Sequence, residues 1–428
     1  MKGLSISISV TIDKLRKTGF FHIFGGSVIN KAISFLSSIV LVRLLTKGEY
    51  GIFTYAWNIY SIILLFNGFG LESSTLQLCS EHGDDCDYIN KICRFSWIRG
   101  AQFDFLLIFV FFIVGLFIPL KIEGADSLLC LLCCLPLFQY NFNLIIVYLR
   151  SQKRNREYAV FSVAGTGMSF GFQVIGAIIF RQQGLILGSY LSCAVAIIGA
   201  VIFIPDIKEV LTADRTIERE ERKALYLIGA VSMVNNGISQ MLYLIDIFVL
   251  GIVVAEETIL ASYKVATIIP TALTFIPVSF VTYLYPHFAE NRDNRKWCLQ
   301  KYKQVLKYVG CFNALISISL CVLAPFIIRF IFGIDYADSE TILIFRMLSI
   351  NYFFSGTFRT IAGNLLVTQR RLKYNTIVAV VSGLVNVLGD YILIKIIGAR
   401  GAALTTMLVV LISSVMNVSY LLYVLKKK

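Results

Sequence analysis

Twelve stretches of roughly 20 apolar residues, separated by short polar segments, run the length of the sequence, and no other feature constrains its fold as strongly. They fall near 19–42, 51–71, 101–120, 126–149, 158–180, 184–204, 224–253, 259–285, 305–332, 340–366, 374–397 and 400–425. A bilayer core about 30 Å thick is crossed by about 20 residues of helix, and irregular backbone facing lipid leaves peptide groups unsatisfied. Each stretch is therefore expected to be a transmembrane helix. With 57% of residues hydrophobic and only 15% charged, the chain has too little charged surface to meet water on every side. The expected class is an all-α integral membrane protein.

A net charge of +13 would suit a nucleic-acid binder, but the lysines and arginines form small clusters between apolar runs. No nucleic-acid partner is expected. With each cation near a span end counted to its nearer face, one face holds 28 of the 39 basic residues, the other holds 7, and four lie within spans. The richer face is the cytoplasmic one, which puts both termini in the cytoplasm and locates the chain in the inner membrane. Met1 to Thr18 has lysines on both sides of a short Ser/Ile stretch and no long apolar core, so it reads as a cytoplasmic lead-in rather than a cleaved signal. Loops on the opposite face span no more than about ten residues, which leaves no room for an external catalytic domain.

Most of the ten cysteines, Cys130, Cys133 and Cys134 among them, lie in apolar runs, where thiols act as small hydrophobes. Cys79, Cys86 and Cys93 near His82 are separated by six-residue gaps, which is not the spacing of a zinc site. No metal ligand set is expected.

Two internal matches point to a duplication. Ser27, Asn30, Lys31, Ile33 and Ser34 in span one share their spacing with Ser232, Asn235, Asn236, Ile238 and Ser239 in span seven. Ser151-Gln152-Lys153-Arg154 leading to Tyr158 matches Thr368-Gln369-Arg370-Arg371 leading to Tyr374. The expected organisation is two homologous six-helix bundles, residues 1–204 and 224–428, joined by a cytoplasmic linker at 205–223.

Polar residues inside the spans are costly, about 3 kcal/mol for a mid-bilayer arginine or lysine even on a mild scale, and they persist where water or a partner reaches them. In span one, Ser27, Asn30, Lys31, Ser34 and Ser38 fall on one helical face. Span seven repeats the device with Ser232, Asn235, Asn236, Ser239, Gln240, Tyr243 and Asp246; span ten has Asn351, Ser355, Arg359 and Gly363. Weaker stripes occupy span five (Ser162, Thr166, Ser169, Gln173) and span eleven (Ser382, Asn386, Asp390). One reading is polar glue between helices, with Asp246 and Asp390 as structural ion-pair partners. The other is a hydrated cavity of positive bias into which Lys31, Lys264 and Arg359 point. Arg346 precedes Arg359 by 13 residues, about 140° around a helix of 3.6 residues per turn, so it is expected to face elsewhere.

Three stretches carry a family resemblance: Arg43-Leu44-Leu45-Thr46-Lys47-Gly48-Glu49-Tyr50-Gly51; Pro325 to Gly333 followed by Asp335-Tyr336 and Ser339; and Gln369-Arg370-Arg371 followed by Tyr374 and Asn375. In order and spacing the chain resembles the polysaccharide flippases, exporters of O-antigen and exopolysaccharide repeat units in the MOP superfamily that also holds the MATE exporters. The resemblance implies a MATE-like pair of six-helix lobes, alternating access, an undecaprenyl-diphosphate-linked oligosaccharide as cargo, and interaction with O-antigen polymerase machinery.

The residues themselves then suggest roles. Lys31, Lys264 and Arg359 are the candidates for a diphosphate, arginine matching phosphate oxygens best; Asn30, Ser34, Asn235, Asn236 and Gln240 are candidates for sugar hydroxyls. No Gly-rich phosphate loop is present, and no cofactor is expected. A coupling ion, H+ or Na+, would act at Asp246 or Asp390. The rival readings are a multidrug or organic-ion exporter of the same fold, which would need acidic cavity residues, and a membrane glycan polymerase or ligase, which would need an acid–base pair and larger external loops.

Overall fold

The computed structural model describes residues 20–82, 85–118, 120–212 and 216–426, and every regular element among them is helical. The lead-in at 1–18 lies outside the described residues, as do 213–215 of the expected linker. Among the described residues eight helices are long and apolar enough to cross a membrane, and counting each of two bent pairs, Ala125–Leu132 with Leu135–Ser151 and Arg219–Ile238 with Tyr243–Val253, as one span brings the number to ten. The 49-residue helix Asn155–Phe203 reverses at Phe180 and Arg181, and Ser339 to Thr368 is helical throughout. The described parts of the expected spans are largely helical, with breaks inside several of them. This is a multi-pass membrane protein.

By its internal contacts the chain forms two units. The first takes in the described parts of Met1–Leu45, Ile59–Leu120 and Gly124–Gly237; the second takes in Thr46–Asn58, Lys121–Glu123 and the described part of Ile238–Lys428. This partition differs from the expected lobes. It falls inside one helix at 237/238, and it gives Thr46–Asn58, an early stretch of the sequence, to the second unit.

In the first unit, α1 (Phe20–Leu44) packs along α7 (Asn155–Phe203). Asn30 Nδ2 donates to Ser162 Oγ at 2.8 Å, so the polar stripes of spans one and five meet there. Between these lie α2 (Lys47–Ile63), whose last turn enters this unit, α3 (Leu71–Glu81), α4 (Cys86–Phe117), α5 (Ala125–Leu132) and α6 (Leu135–Ser151). Span two does not run unbroken through 51–71: between α2 and α3, Gly68, Phe69 and Gly70 take positive φ angles of 54°, 54° and 70°, and the helix stops and restarts. The apolar ruler could not see this, because Leu64-Leu65-Phe66 keeps the stretch apolar up to the break.

The expected linker holds a short helix, α8 (Asp206–Thr212), whose Ile207 and Val210 are buried against Ile89 and Ile92 of α4 and Leu225 of α9 (Arg219–Val253). Arg154, ahead of α7, pairs with both Glu157 and Asp206, which fixes α8 to the loop before span five. Burial of two branched side chains contributes about 1.5–3 kcal/mol each, enough to hold a helix too short to persist alone.

The second unit contains α10 (Glu257–Leu273), α11 (Phe275–Glu290), α12 (Arg295–Ile327), α13 (Ser339–Phe354), α14 (Thr360–Thr368), α15 (Leu372–Ile397) and α16 (Ala399–Lys426). A π turn at Ser355–Arg359 joins α13 to α14. Buried Asn313 of α12 donates to Thr357 Oγ1 at 3.2 Å and accepts from the Tyr352 hydroxyl at 2.9 Å, tying α12 to span ten. At one end, Asp338 caps α13 by accepting from the Thr341 N–H at 2.8 Å and also accepts from Lys47 Nζ at 3.0 Å, while Lys47 lies over the Tyr336 ring. Burial alone would push the Asp338 carboxyl up, but the Thr341 amide and the Lys47 ammonium outweigh it and hold the group below its ordinary range.

Candidate substrate cavity

A cavity of about 470 Å³ lies within the second unit, a size suited to small polar headgroups or drug-sized ligands. Its wall comes from α9, α10, α13, the π turn, α15 and α16. The spacing in span ten explains one side: Asn351, Ser355 and Arg359 recur every four residues, and the π turn's wider ring places Ser355 and Arg359 together on the wall. Lys264 faces them from α10, and Gln240 and Tyr243 contribute from α9.

Neither Lys264 nor Arg359 has a carboxylate within 4 Å among the described residues. Two cations therefore line one chamber without a direct carboxylate partner among the described residues. Asn351 adds a buried Oδ1 that accepts no hydrogen bond from the described residues. Arg346 lies on the other side of its helix, donating from Nε to the Cys321 carbonyl of α12 at 3.0 Å, and is not part of the wall.

Asp246, 7% exposed, sits on the same wall but forms no ion pair among the described residues. Its Oδ2 accepts from the Tyr263 hydroxyl at 2.6 Å and the Thr406 hydroxyl at 2.7 Å, and its Oδ1 accepts from Asn386 Nδ2 at 3.1 Å. Asp390, one helical turn beyond Asn386, is fully buried beside it, with the Thr405 side chain facing its carboxyl. The ion-pair reading of these two aspartates therefore gives way to a carboxyl pair served by neutral donors. Tyr263 and Thr406 were missed in the sequence; the available signal was the stripe Lys264, Thr267, Thr271 and Thr274 beside Tyr263 in span eight, and the Thr405-Thr406 pair in span twelve.

The remaining candidates belong to the first unit. Lys31 and Ser34 are exposed on α1, one turn from Asn30 and its bond to Ser162. Asn235 and Asn236 are exposed on the part of α9 that precedes the division at 237/238, whereas Gln240 follows it.

The same helical architecture recurs in solved transporters. The lipid II flippase MurJ in an inward closed conformation matches at a TM-score of 0.71 and 16% identity, over 95% of this chain and 87% of that one. An inward-facing multidrug resistance MATE family transporter of the MOP superfamily matches at 0.77 and 14%, over 93% and 96%. A MOP superfamily transporter from Pyrococcus furiosus Vc1, described by the reverse polarity of its binding pocket, matches at 0.62 and 13%, over 96% of both chains. The chain shares the fold of these solved proteins. No curated protein sequence matches the chain. A family described as polysaccharide biosynthesis protein matches residues 40–341, and the chain belongs to that family.

Proposed function

We propose that the protein is a flippase, not an enzyme, that carries an undecaprenyl-diphosphate-linked oligosaccharide, an O-antigen or similar repeat unit, from the cytoplasmic to the periplasmic face of the inner membrane. The observation that carries this reading is the pair Lys264 and Arg359, with no carboxylate within 4 Å among the described residues, in a chamber whose wall combines amides, hydroxyls and the Asp246 carboxyl with aliphatic side chains. A diphosphate supplies the missing negative charge, and charge-assisted hydrogen bonds to it are about twice as strong as neutral ones. Membership of a polysaccharide biosynthesis family and a fold shared with a lipid II flippase support a lipid-linked glycan as the cargo.

In this reading Lys31, Asn30, Ser34, Asn235 and Asn236 meet the headgroup on the way, Gln240 receives sugar hydroxyls, and the isoprenoid tail stays in lipid. Two homologous lobes, 1–204 and 224–428, alternate access with both termini in the cytoplasm. The Asp246–Asp390 pair is the coupling site for H+ or Na+, and Asn386, Tyr263 and Thr406 hold Asp246 in place. Delivery on the periplasmic side would be to the glycan polymerase machinery.

Deletion of the gene tests the proposal. Lipid-linked repeat units should collect on the cytoplasmic leaflet, wild type should clear them, and Arg359→Ala should not. Unchanged surface polysaccharide in a deletion strain with no substitute transporter would remove the proposal. Asp246 on the cavity wall also favours an organic-cation exporter as the second reading; drug resistance conferred by the wild type with no glycan phenotype would select it.

A further inference from the structure

The first unit holds a buried carboxyl that neither the cavity nor the proposed coupling site uses. Asp104 of α4 is 0% exposed, on a helix whose neighbours Phe103 and Phe105 are aromatic. Its Oδ1 accepts from the Gly68 N–H at 2.8 Å. Gly68 stands in the break between α2 and α3, where three successive left-handed residues leave backbone N–H groups without helical acceptors. Asp104 therefore supplies from a neighbouring helix the acceptor that the interrupted span has lost. Tyr140 of α6 closes the other side: a Cβ on Gly68 would lie 2.1 Å from its ring, and the Tyr140 hydroxyl is held by the Ser96 carbonyl at 2.6 Å.

The second oxygen is the informative one. Asp104 Oδ2 is buried and has no hydrogen-bond partner among the described residues, and no cation pairs with the carboxyl there. Asn67 Oδ1, on the residue before Gly68, is likewise buried and without a donor. Two buried acceptors near one N–H lack a donor between them. An ionised carboxylate with a single hydrogen bond is costly at this depth, and the titratable groups facing it do not relieve it: Glu72 from α3, Tyr140 from α6 and Tyr60 from α2 bring negative or neutral groups only. Glu72 itself is engaged by Asn143 Nδ2 at 3.2 Å.

We infer that Asp104 is a proton-binding site that controls the break in span two. Uptake of one proton from water at Oδ2 converts the carboxylate to the neutral acid and removes the buried charge. Loss of that proton restores the carboxylate, which grips the Gly68 N–H more strongly because charged acceptors bind backbone donors more tightly than neutral ones. The state of one proton thus decides how firmly the break is pinned. The inference stands whatever the cargo is.

The test uses the full-length protein in nanodiscs and dicyclohexylcarbodiimide, which reacts with protonated carboxyls in apolar surroundings. Mass spectrometry should find the adduct on Asp104, its yield should fall as pH rises, and Asp104→Asn should abolish it while leaving any adduct at Asp390. Hydrogen exchange across residues 64–71, corrected for the intrinsic pH dependence of exchange, should change with pH in the wild type and lose that change in Asp104→Asn. The inference is overturned if Asp104 is unlabelled at every pH, if labelling responds to Na+ at fixed pH but not to pH, or if the 64–71 segment responds to pH identically in wild type and Asp104→Asn. Asp104→Glu, which keeps an acid, serves as the folding control and should retain labelling.

Discussion

Lys153 and Arg370 stand 217 residues apart and adopt the same left-handed conformation, φ 58° and φ 57°. Each closes a helix in the same way. The next residue's N–H reaches back five positions, Arg154 to the Leu149 carbonyl at 3.0 Å and Arg371 to the Leu366 carbonyl at 2.9 Å. The preceding hydroxyls agree as well, Ser151 and Thr368 both donating to the carbonyl three residues back at 2.8 Å. The short sequence match before spans five and eleven thus reports a repeated piece of backbone.

The offset of 217 extends one turn further and yields a prediction. Arg181, between spans five and six, has φ 53° and ψ −133°, while Gly398, between spans eleven and twelve, has φ 61° and ψ −141°. Glycine enters this region freely, but a residue with a Cβ is strained there by about 1–3 kcal/mol. Arg181→Gly is expected to raise stability by about 1 kcal/mol, and Gly398→Ala to lower it by about 1–3 kcal/mol. Thermal unfolding of the purified variants in one detergent measures both. An equal response to the two changes would show that the turns are not equivalent.

For the cavity, Lys264 and Arg359 are expected to matter through charge, and Arg359 through its shape also. Loss of one charge-assisted contact, about 1.5–3 kcal/mol, weakens anion binding by roughly 10- to 100-fold. Arg359→Lys should recover only part of this, because an ammonium cannot grip two phosphate oxygens in one plane. Competition of a diphosphate-bearing lipid analogue against a fluorescent one, at fixed salt, gives the affinities.

How much of this was legible in the sequence depends on what each residue interacts with. The spans were readable because lipid demands long apolar helices, and helical pitch was enough to expect Arg346 to face away from Arg359. The ends were less so: α4 starts at Cys86 rather than near 101, because the helix continues past the apolar core into a polar, packed extension. The break at Gly68 was invisible for another reason. It depends on Asp104 and Tyr140, which reach it from other helices, and only the oddity of an acid between Phe103 and Phe105 hinted at it. Asp246 was found by its stripe, but the donors that surround it come from three helices and no local pattern announces them.

The Asp338–Lys47 contact carries a pH dependence whose sign can be worked out. The folded carboxyl titrates below its ordinary value, so the unfolded chain binds its proton first as pH falls. The stabilisation is therefore fully present above the ordinary aspartate value, about 3.9, and is lost as pH drops through the depressed one. Thermal stability should be insensitive to this pair between neutral and mildly acid pH, then fall on further acidification. Asp338→Asn should lack that acid-side contribution, and high salt should weaken it in the wild type.

Asp246 offers the sharpest separation of structure from coupling. Replacement by alanine strips the Tyr263 hydroxyl and the Asn386 amide of this acceptor, whereas the Thr406 hydroxyl keeps the Ala402 carbonyl at 3.0 Å. Each buried donor left unpaired costs about 1–3 kcal/mol, so Asp246→Ala is expected to be strongly destabilised. Asparagine keeps one carbonyl oxygen, and the two hydroxyls can rotate to accept from its amide, so Asp246→Asn should fold with a smaller loss. What it cannot keep is a titratable carboxyl beside Asp390. If the pair couples transport to an ion, Asp246→Asn should bind cargo normally yet move it no faster under an imposed proton or sodium gradient than without one. Reconstituted vesicles with each gradient applied in turn make the measurement. Retention of the full gradient response in a folded Asp246→Asn would assign the pair to structure alone.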